Sequence, residues 1–345
     1  MAEGSARTKL ATVALVIVGF ALGFAEFIVI GITPDIAEEY GISLASAGNL
    51  VGFFAISYAV STPIIVLSTG RFRRFPLFVT FLAVFNAGFS VASVLGTPIG
   101  TLLADAFGIK AAFIAVEAVA LVVTVLLLVS VPRSGSTDVS SRVRDQLVIL
   151  KDRRIILVLI MKGFGMAATY VFYVYVTPIL EDGVGLSVWM VSIVLFFYGA
   201  ATIVSNLGSG SIAQHYGLAK MPIMFGLQAL VLLLLGPSLA SGNTALAVIN
   251  VVLTGVFIYH MNSPLQTFLL QTSAKDYPKA ITLASAVMPT SSDLGIATGS
   301  FLGGVVASGP GFVWVGPVGA LFAIVAVVAA VLILQPENRK RETAQ

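Results

Sequence analysis

The chain has 345 residues, 58% of them hydrophobic and only 10% charged, with a net charge of +3 and a strongly positive mean hydropathy. So little polar surface cannot cover a soluble globule of this size, which makes lipid the main solvent and leaves no room for a separate soluble domain. With no cysteine and only His215 and His260, a disulfide framework and a thiolate metal site are excluded, a histidine metal cluster is disfavoured, and no cofactor is implied.

In hydrocarbon every backbone N–H and C=O must be paired internally, and the apolar runs here are unbroken rather than alternating, which predicts spanning helices rather than a closed barrel. Runs of roughly 20 apolar residues predict ten crossings, at 10–32, 45–69, 75–106, 111–132, 155–180, 187–208, 219–239, 243–264, 279–306 and 313–335. The first follows Arg7 and Lys9 as a secretory leader would. It is long, contains Glu26 and lacks a small-residue cleavage pattern, so it reads as a retained span. The polar stretch 133–154 predicts a cytoplasmic linker between a four-span bundle (1–132) and a six-span bundle (155–345). With the N-terminus inside, seventeen of the nineteen Lys and Arg residues face the cytoplasm, while Asp35, Glu38, Glu39, Glu181 and Asp182 lie in outer turns. This bias predicts a multi-pass cell-membrane protein with both termini cytoplasmic. It also accounts for the positive charge without a nucleic-acid partner.

The two halves repeat weakly, because a short basic turn follows the second span of each: Gly70-Arg71-Phe72-Arg73-Arg74 in the first, Gly210 to Lys220, including Gly217, in the second. Glu26 stands about 24 Å along the first span from Leu10, inside the hydrocarbon thickness. A carboxyl there suits loading and release of protons; the alternative is a permanently protonated group bonded to a neighbouring helix. Asp293, after Pro289-Thr290-Ser291-Ser292, also sits at membrane depth, as a second proton or cation site or as a polar contact between helices. Glu117 reads as leaning to the outer interface, and Lys162 as snorkelling to the cytoplasmic one. Tyr58, Tyr170 and Tyr173 are candidates to line a substrate path, against the commoner role of aromatics in packing. Gly96 and Gly100, and Gly295, Gly299 and Gly303, recur every four residues and predict close helix packing, with Pro98 kinking its span.

Gly23 to Ala37, around Glu26, resembles the acidic first-span motif of the bacterial drug or sugar efflux antiporters of the major facilitator superfamily. Gly210 to Lys220 is similar to that family's turn between the second and third helices of a half. Leu95 to Gly100 resembles its Gly/Pro antiporter motif, and Leu294 to Gly304 its glycine-rich eleventh helix. The resemblance implies an all-α, two-bundle fold of about ten spans (4 + 6). It further implies proton-coupled efflux of a small organic molecule by alternating access, with Glu26 and Asp293 as proton-coupling residues, and a monomer in the lipid bilayer. Against the family's twelve helices, the third span begins like helix three and ends like helix five, as if a junction near Asn86 had removed two crossings. Where the family has an aspartate and a glycine in the first cytoplasmic turn, this chain has Gly70 and Arg73, so Arg71 and Arg74 are expected to serve as topology anchors. Two rival readings are a transport-incompetent remnant that persists as a membrane scaffold or binding protein and, more distantly, a membrane enzyme, for which no nucleophile–base pair stands out.

Overall fold

A computed structural model describes the backbone of residues 2–69, 75–130 and 143–342, and side chains over 16–64, 91–126 and 145–335 together with Val13 and Gly88. Arg71, Arg74 and residues 133–142 of the predicted linker lie outside the described residues. Described secondary structure is helical throughout.

Helix α1 (Ala2–Gly31) turns through 60° into the short α2 (Thr33–Glu39). Pro34 explains the break: a residue with no N–H is tolerated in the first turn of a new helix but not inside an old one. Helices α3 (Leu44–Thr69), α4 (Phe75–Phe107) and α5 (Ile109–Ser130) complete the first half. Gly108, at φ 78°, turns the chain sharply between α4 and α5 in a conformation that glycine adopts without steric cost. Helix α6 (Val143–Gln146) and a 3-10 turn (Leu147–Lys151) lead into α7 (Arg153–Tyr173), which breaks into α8 (Val176–Pro178) and a π turn (Ile179–Gly183). Then come α9 (Val188–His215), α10 (Met221–Ala240), α11 (Thr244–Phe257), α12 (Asn262–Asp276), α13 (Ile281–Ser308) and α14 (Val315–Glu342).

By length and composition, seven helices among the described residues can cross a membrane, or eight if α1 and α2 form one bent span; α11 and α12 count together as one. The expected ten is not reached on this measure. Helix α13 falls short because Pro289 to Asp293 dilutes its apolar run, and α4 is represented in this count only by its described part, Val91–Phe107, as a shorter apolar helix. Backbone geometry over Phe75–Phe107 is nevertheless one continuous helix of 33 residues with Pro98 inside it. At 1.5 Å per residue it extends about 50 Å, against a hydrocarbon core of about 30 Å.

Because lipid tails are as apolar as leucine, helices in a bilayer associate by close packing rather than by escape from water. The glycines permit that. A Cβ added at Gly96 or Gly100 of α4 would lie 2.8 Å from Phe27 Cβ or from the Ile28 carbonyl of α1. On α13, a Cβ at Gly295, Gly299 or Gly303 would lie 2.1, 2.7 or 2.3 Å from the carbonyls of Gly163, Ala167 and Val171 on α7. Across the two halves, α3 packs chiefly on α13, and α4 on α9.

At the start of α7, Asp152 caps the helix by accepting from the Arg154 N–H at 2.8 Å. Arg154 also pairs with Asp152 (2.7 Å) and Asp276 (2.6 Å), and the Tyr277 hydroxyl donates to Asp152 at 3.1 Å. Its hydrogen bonds from Arg154 hold the Asp152 carboxyl below the usual range. A lowered acid contributes stability above its ordinary pKa and loses it as pH falls through the lowered one. Asp152→Ala is expected to cost about 1 kcal/mol at neutral pH, and Asp152→Asn, which keeps the cap, less. Thermal unfolding in detergent checks this, and the difference between the parent and Asp152→Ala should shrink in strong acid.

Candidate functional site

The two halves meet in the membrane interior at a hydrogen bond between ionisable side chains. Glu26 of α1 lies less than two turns before the bend into α2, and its Oε1 accepts from the Tyr170 hydroxyl of α7 at 2.7 Å. Tyr170 is fully buried. Its ring meets Tyr173 edge-on at 5.6 Å, Tyr173 stacks on Tyr198 of α9 at 4.7 Å, and Phe27 of α1 lies 6.2 Å from Tyr173. An aromatic layer therefore encloses the carboxyl on the side of the second half. Tyr58 and Asp293 lie within electrostatic reach of Glu26 and of each other, so α1, α3, α7 and α13 converge on one region.

A second polar seam lies beside this one. Ser93, Thr97 and Thr101 of α4 pair with Thr202 (2.9 Å), Tyr173 (3.2 Å) and Ser192 (2.7 Å) of α9 and α7. Four-residue spacing puts these three hydroxyls on one face of α4, a quarter-turn from the glycine face that meets α1. The sequence reading passed over them, although small hydroxyl residues at i, i+4 and i+8 in an apolar span are a legible sign of a helix interface.

On its other side Glu26 borders a cleft of about 580 Å³ between α1, α3 and α5, whose walls include Val29, Leu50, Phe54 and Phe113 and which reaches Tyr40 and Ile42 beyond α2. Glu117 is exposed on α5. Lys162 departs from expectation: it does not snorkel. It stands midway along the 21 residues of α7, only 6% exposed, and its ammonium donates to the Asn262 side chain of α12. A stem pointing into the bundle cannot reach the interface along the helix surface. The second basic turn, expected from Gly210, is shorter than that: Gly210 to His215 continue helix α9 and only 216–220 turn. Gly210 has open space around it, Gly217 takes φ 53°, and Lys220 sits 5.2 Å over the Tyr216 ring. No cluster of three or more His, Cys, Asp or Glu suited to a metal ion occurs among the described residues.

At the turn beyond α7, burial beside Asp35, Asp182 and Asp105 pushes the Glu181 carboxyl up to about 7. A raised acid favours the protonated fold, so the folded state loses stability as pH rises from about 4.5 to 7. Glu181→Gln is expected to raise the thermal midpoint at pH 8 and to leave it unchanged at pH 4. Equal midpoints for parent and variant at pH 8 would remove the strain assigned to this turn.

A model of the Major Facilitator Superfamily matches residues 80–288. The MFS-type transporter YtbD of Bacillus subtilis (strain 168), described as uncharacterized, is 26% identical over 389 aligned positions, covering 97% of this chain and 98% of its own. Among solved structures, a bacterial homolog of the human lysosomal transporter Spinster, inward-facing and unoccupied, superposes with a TM-score of 0.67 at 14% identity, covering 95% of this chain and 97% of its own. The D-xylose-proton symporter does so with a TM-score of 0.67 at 12% identity, covering 94% and 97%.

Proposed function

The chain belongs to the Major Facilitator Superfamily, a family of membrane transporters and not of enzymes, and from that premise we propose that it exports a small organic molecule, a drug or a sugar, in exchange for protons. The observation that carries this reading is the bond from Tyr170 to Glu26, which joins the two halves through a group that can gain or lose a proton. A hydrogen bond to an ionised carboxylate is roughly twice as strong as one to its neutral form. Deprotonated Glu26 therefore holds α1 against α7, and a proton arriving on it loosens that contact and lets the halves rock about the midplane. Asp293, within reach of both Glu26 and Lys162, is the second proton-coupling residue of this reading. Tyr58, Tyr170 and Tyr173 line the substrate path. The monomer lies in the cell membrane with both termini and the linker 133–154 on the cytoplasmic side.

A second reading has its own observation. The alignment with YtbD is 389 positions long and this chain has 345 residues, so at least 44 positions face a gap here. That is the length of two crossings of about 20 residues each. The single helix α4 and the cleft beside α3 and α5 are what removal of helix four, with the adjoining parts of helices three and five, would leave. On this reading the chain is a transport-incompetent scaffold or binding protein. Everted vesicles carrying the chain, energised to an acid interior, separate the two: a panel of dyes, sugars and organic acids should contain a compound that releases protons only when the chain is present. Compounds that bind without releasing protons favour the remnant.

A further inference from the structure

Lys162 is a cation in the middle of a spanning helix with no anion among the described residues in contact with it. Among the described residues its ammonium has one hydrogen-bond partner, the neutral Asn262 side chain, whose amide in turn donates to Asn206 of α9 at 3.3 Å. An ammonium has three donors, so two are left without a protein acceptor. Asp293 acts on Lys162 electrostatically but makes no ion pair with it. A buried charge is normally paired, and an ionisable residue inside a membrane marks a substrate or ion pathway by default.

The neighbourhood is interrupted as well as charged. Helices α11 and α12 are two pieces of one span, parted at Ile258–Met261, directly before Asn262. The first-turn amides of α12 are occupied: Ser263 N–H donates to Ser209 and Leu265 N–H to the Met261 carbonyl, while Pro264 has none. The helix end therefore offers no free donor, and recognition rests on Lys162. In the same break His260 is 1% exposed; its Nδ1 lies 2.5 Å from the Phe257 carbonyl, and its Nε2 has no partner. Because a carbonyl only accepts, Nδ1 carries the proton and Nε2 is a buried acceptor within electrostatic reach of Lys162. A ligand with an oxyanion for the ammonium and a hydroxyl for the imidazole satisfies both.

We propose that Lys162, positioned by Asn262, binds the carboxylate of the transported molecule, so that the substrates of this chain are organic acids. The assignment rests on the transporter reading for the ligand's passage, but not for its binding. Among the described residues Asp293 is the acid that acts on Lys162, so when it carries a proton a substrate carboxylate is the anion left for the ammonium to contact.

The test is equilibrium binding to the purified full chain in detergent, without a gradient, using matched pairs that differ in charge: benzoate with benzamide, and gluconate with glucose. In at least one pair the carboxylate should bind about tenfold or more tightly than its neutral partner. Lys162→Gln should erase that difference and Lys162→Arg should keep most of it, with thermal unfolding showing both variants folded. The double variant Lys162→Gln/Asp293→Asn decides whether Lys162 is only a counter-charge for Asp293, since restored preference in it overturns the proposal. Equal binding within both pairs, no carboxylate binding, or a preference that survives Lys162→Gln overturns it too. Carboxylate preference without proton-coupled flux in vesicles removes the transporter reading and leaves this site standing, and flux of neutral compounds alone does the reverse.

Discussion

Glu26→Gln is expected to bring pH-driven substrate movement in reconstituted vesicles down to that of protein-free vesicles, while the variant inserts and elutes as the parent does. Glutamine has nearly the same shape and still accepts from the Tyr170 hydroxyl, which lies 2.7 Å from Glu26 Oε1, so packing is retained. Only titration is lost, and with it the alternation between a strong ionic contact and a weak neutral one. Gradient-free exchange of substrate should survive, since it needs the halves to move but no net proton transfer. If Glu26→Gln still concentrates substrate against a pH gradient like the parent, Glu26 is a structural hydrogen-bonding residue.

Gly295→Val is expected to disrupt folding severely. Its Cβ would stand 2.1 Å from the Gly163 carbonyl and 3.0 Å from Met166 Cβ, and a backbone oxygen cannot rotate aside as a side-chain tip can. Relief requires α13 to move off α7, and overpacking of this kind costs about 1–3 kcal/mol or more. The monodisperse peak on size-exclusion chromatography should disappear. Gly210→Ala is the matched control: nothing lies within 4 Å of its added Cβ, and alanine is the better helix former, so yield should hold or rise. Intact yield of Gly295→Val would mean that α7 and α13 are not packed as closely as described.

Much of this arrangement was legible in the residues. Unbroken apolar runs marked the helices, and four-residue glycine spacing marked faces that lie against α1 and α7. Glu26, Tyr58, Tyr170 and Asp293, named from four separated stretches of sequence, converge because carboxyls and hydroxyls at membrane depth must find each other or water. The misses have equally physical causes. A single span was read at 243–264, but the chain leaves α11 after Phe257 and restarts at Asn262. Pro264, in the first turn of α12, is the sequence signal of that break, since it cannot donate back into the preceding helix; the Tyr259 N–H is captured there by Ser205 of α9 at 2.9 Å. Lys162 was assigned to the interface because the span was taken to run from 155 to 180. Helix α7 ends at Tyr173, which moves its midpoint onto Lys162 and the stem into the bundle. The hydroxyl seam of α4 escaped notice because serine and threonine inside a span also satisfy themselves against their own backbone, as Thr101 does with the Pro98 carbonyl at 2.9 Å.

Movement of the two halves about the Glu26–Tyr170 contact is open to measurement, because the absence of cysteine makes any introduced cysteine a unique label site. Tyr40, at the end of α2, and Trp189, at the start of α9, are 62% and 64% exposed and lie on different halves. With spin labels at Tyr40→Cys and Trp189→Cys in lipid nanodiscs, pulsed electron–electron distance measurement should give two populations whose ratio shifts between acid and alkaline pH. In the Glu26→Gln background that ratio should stay at one value across the same range. A single distance that ignores both pH and the Glu26→Gln change would contradict a proton-gated transporter and leave a static membrane protein in its place.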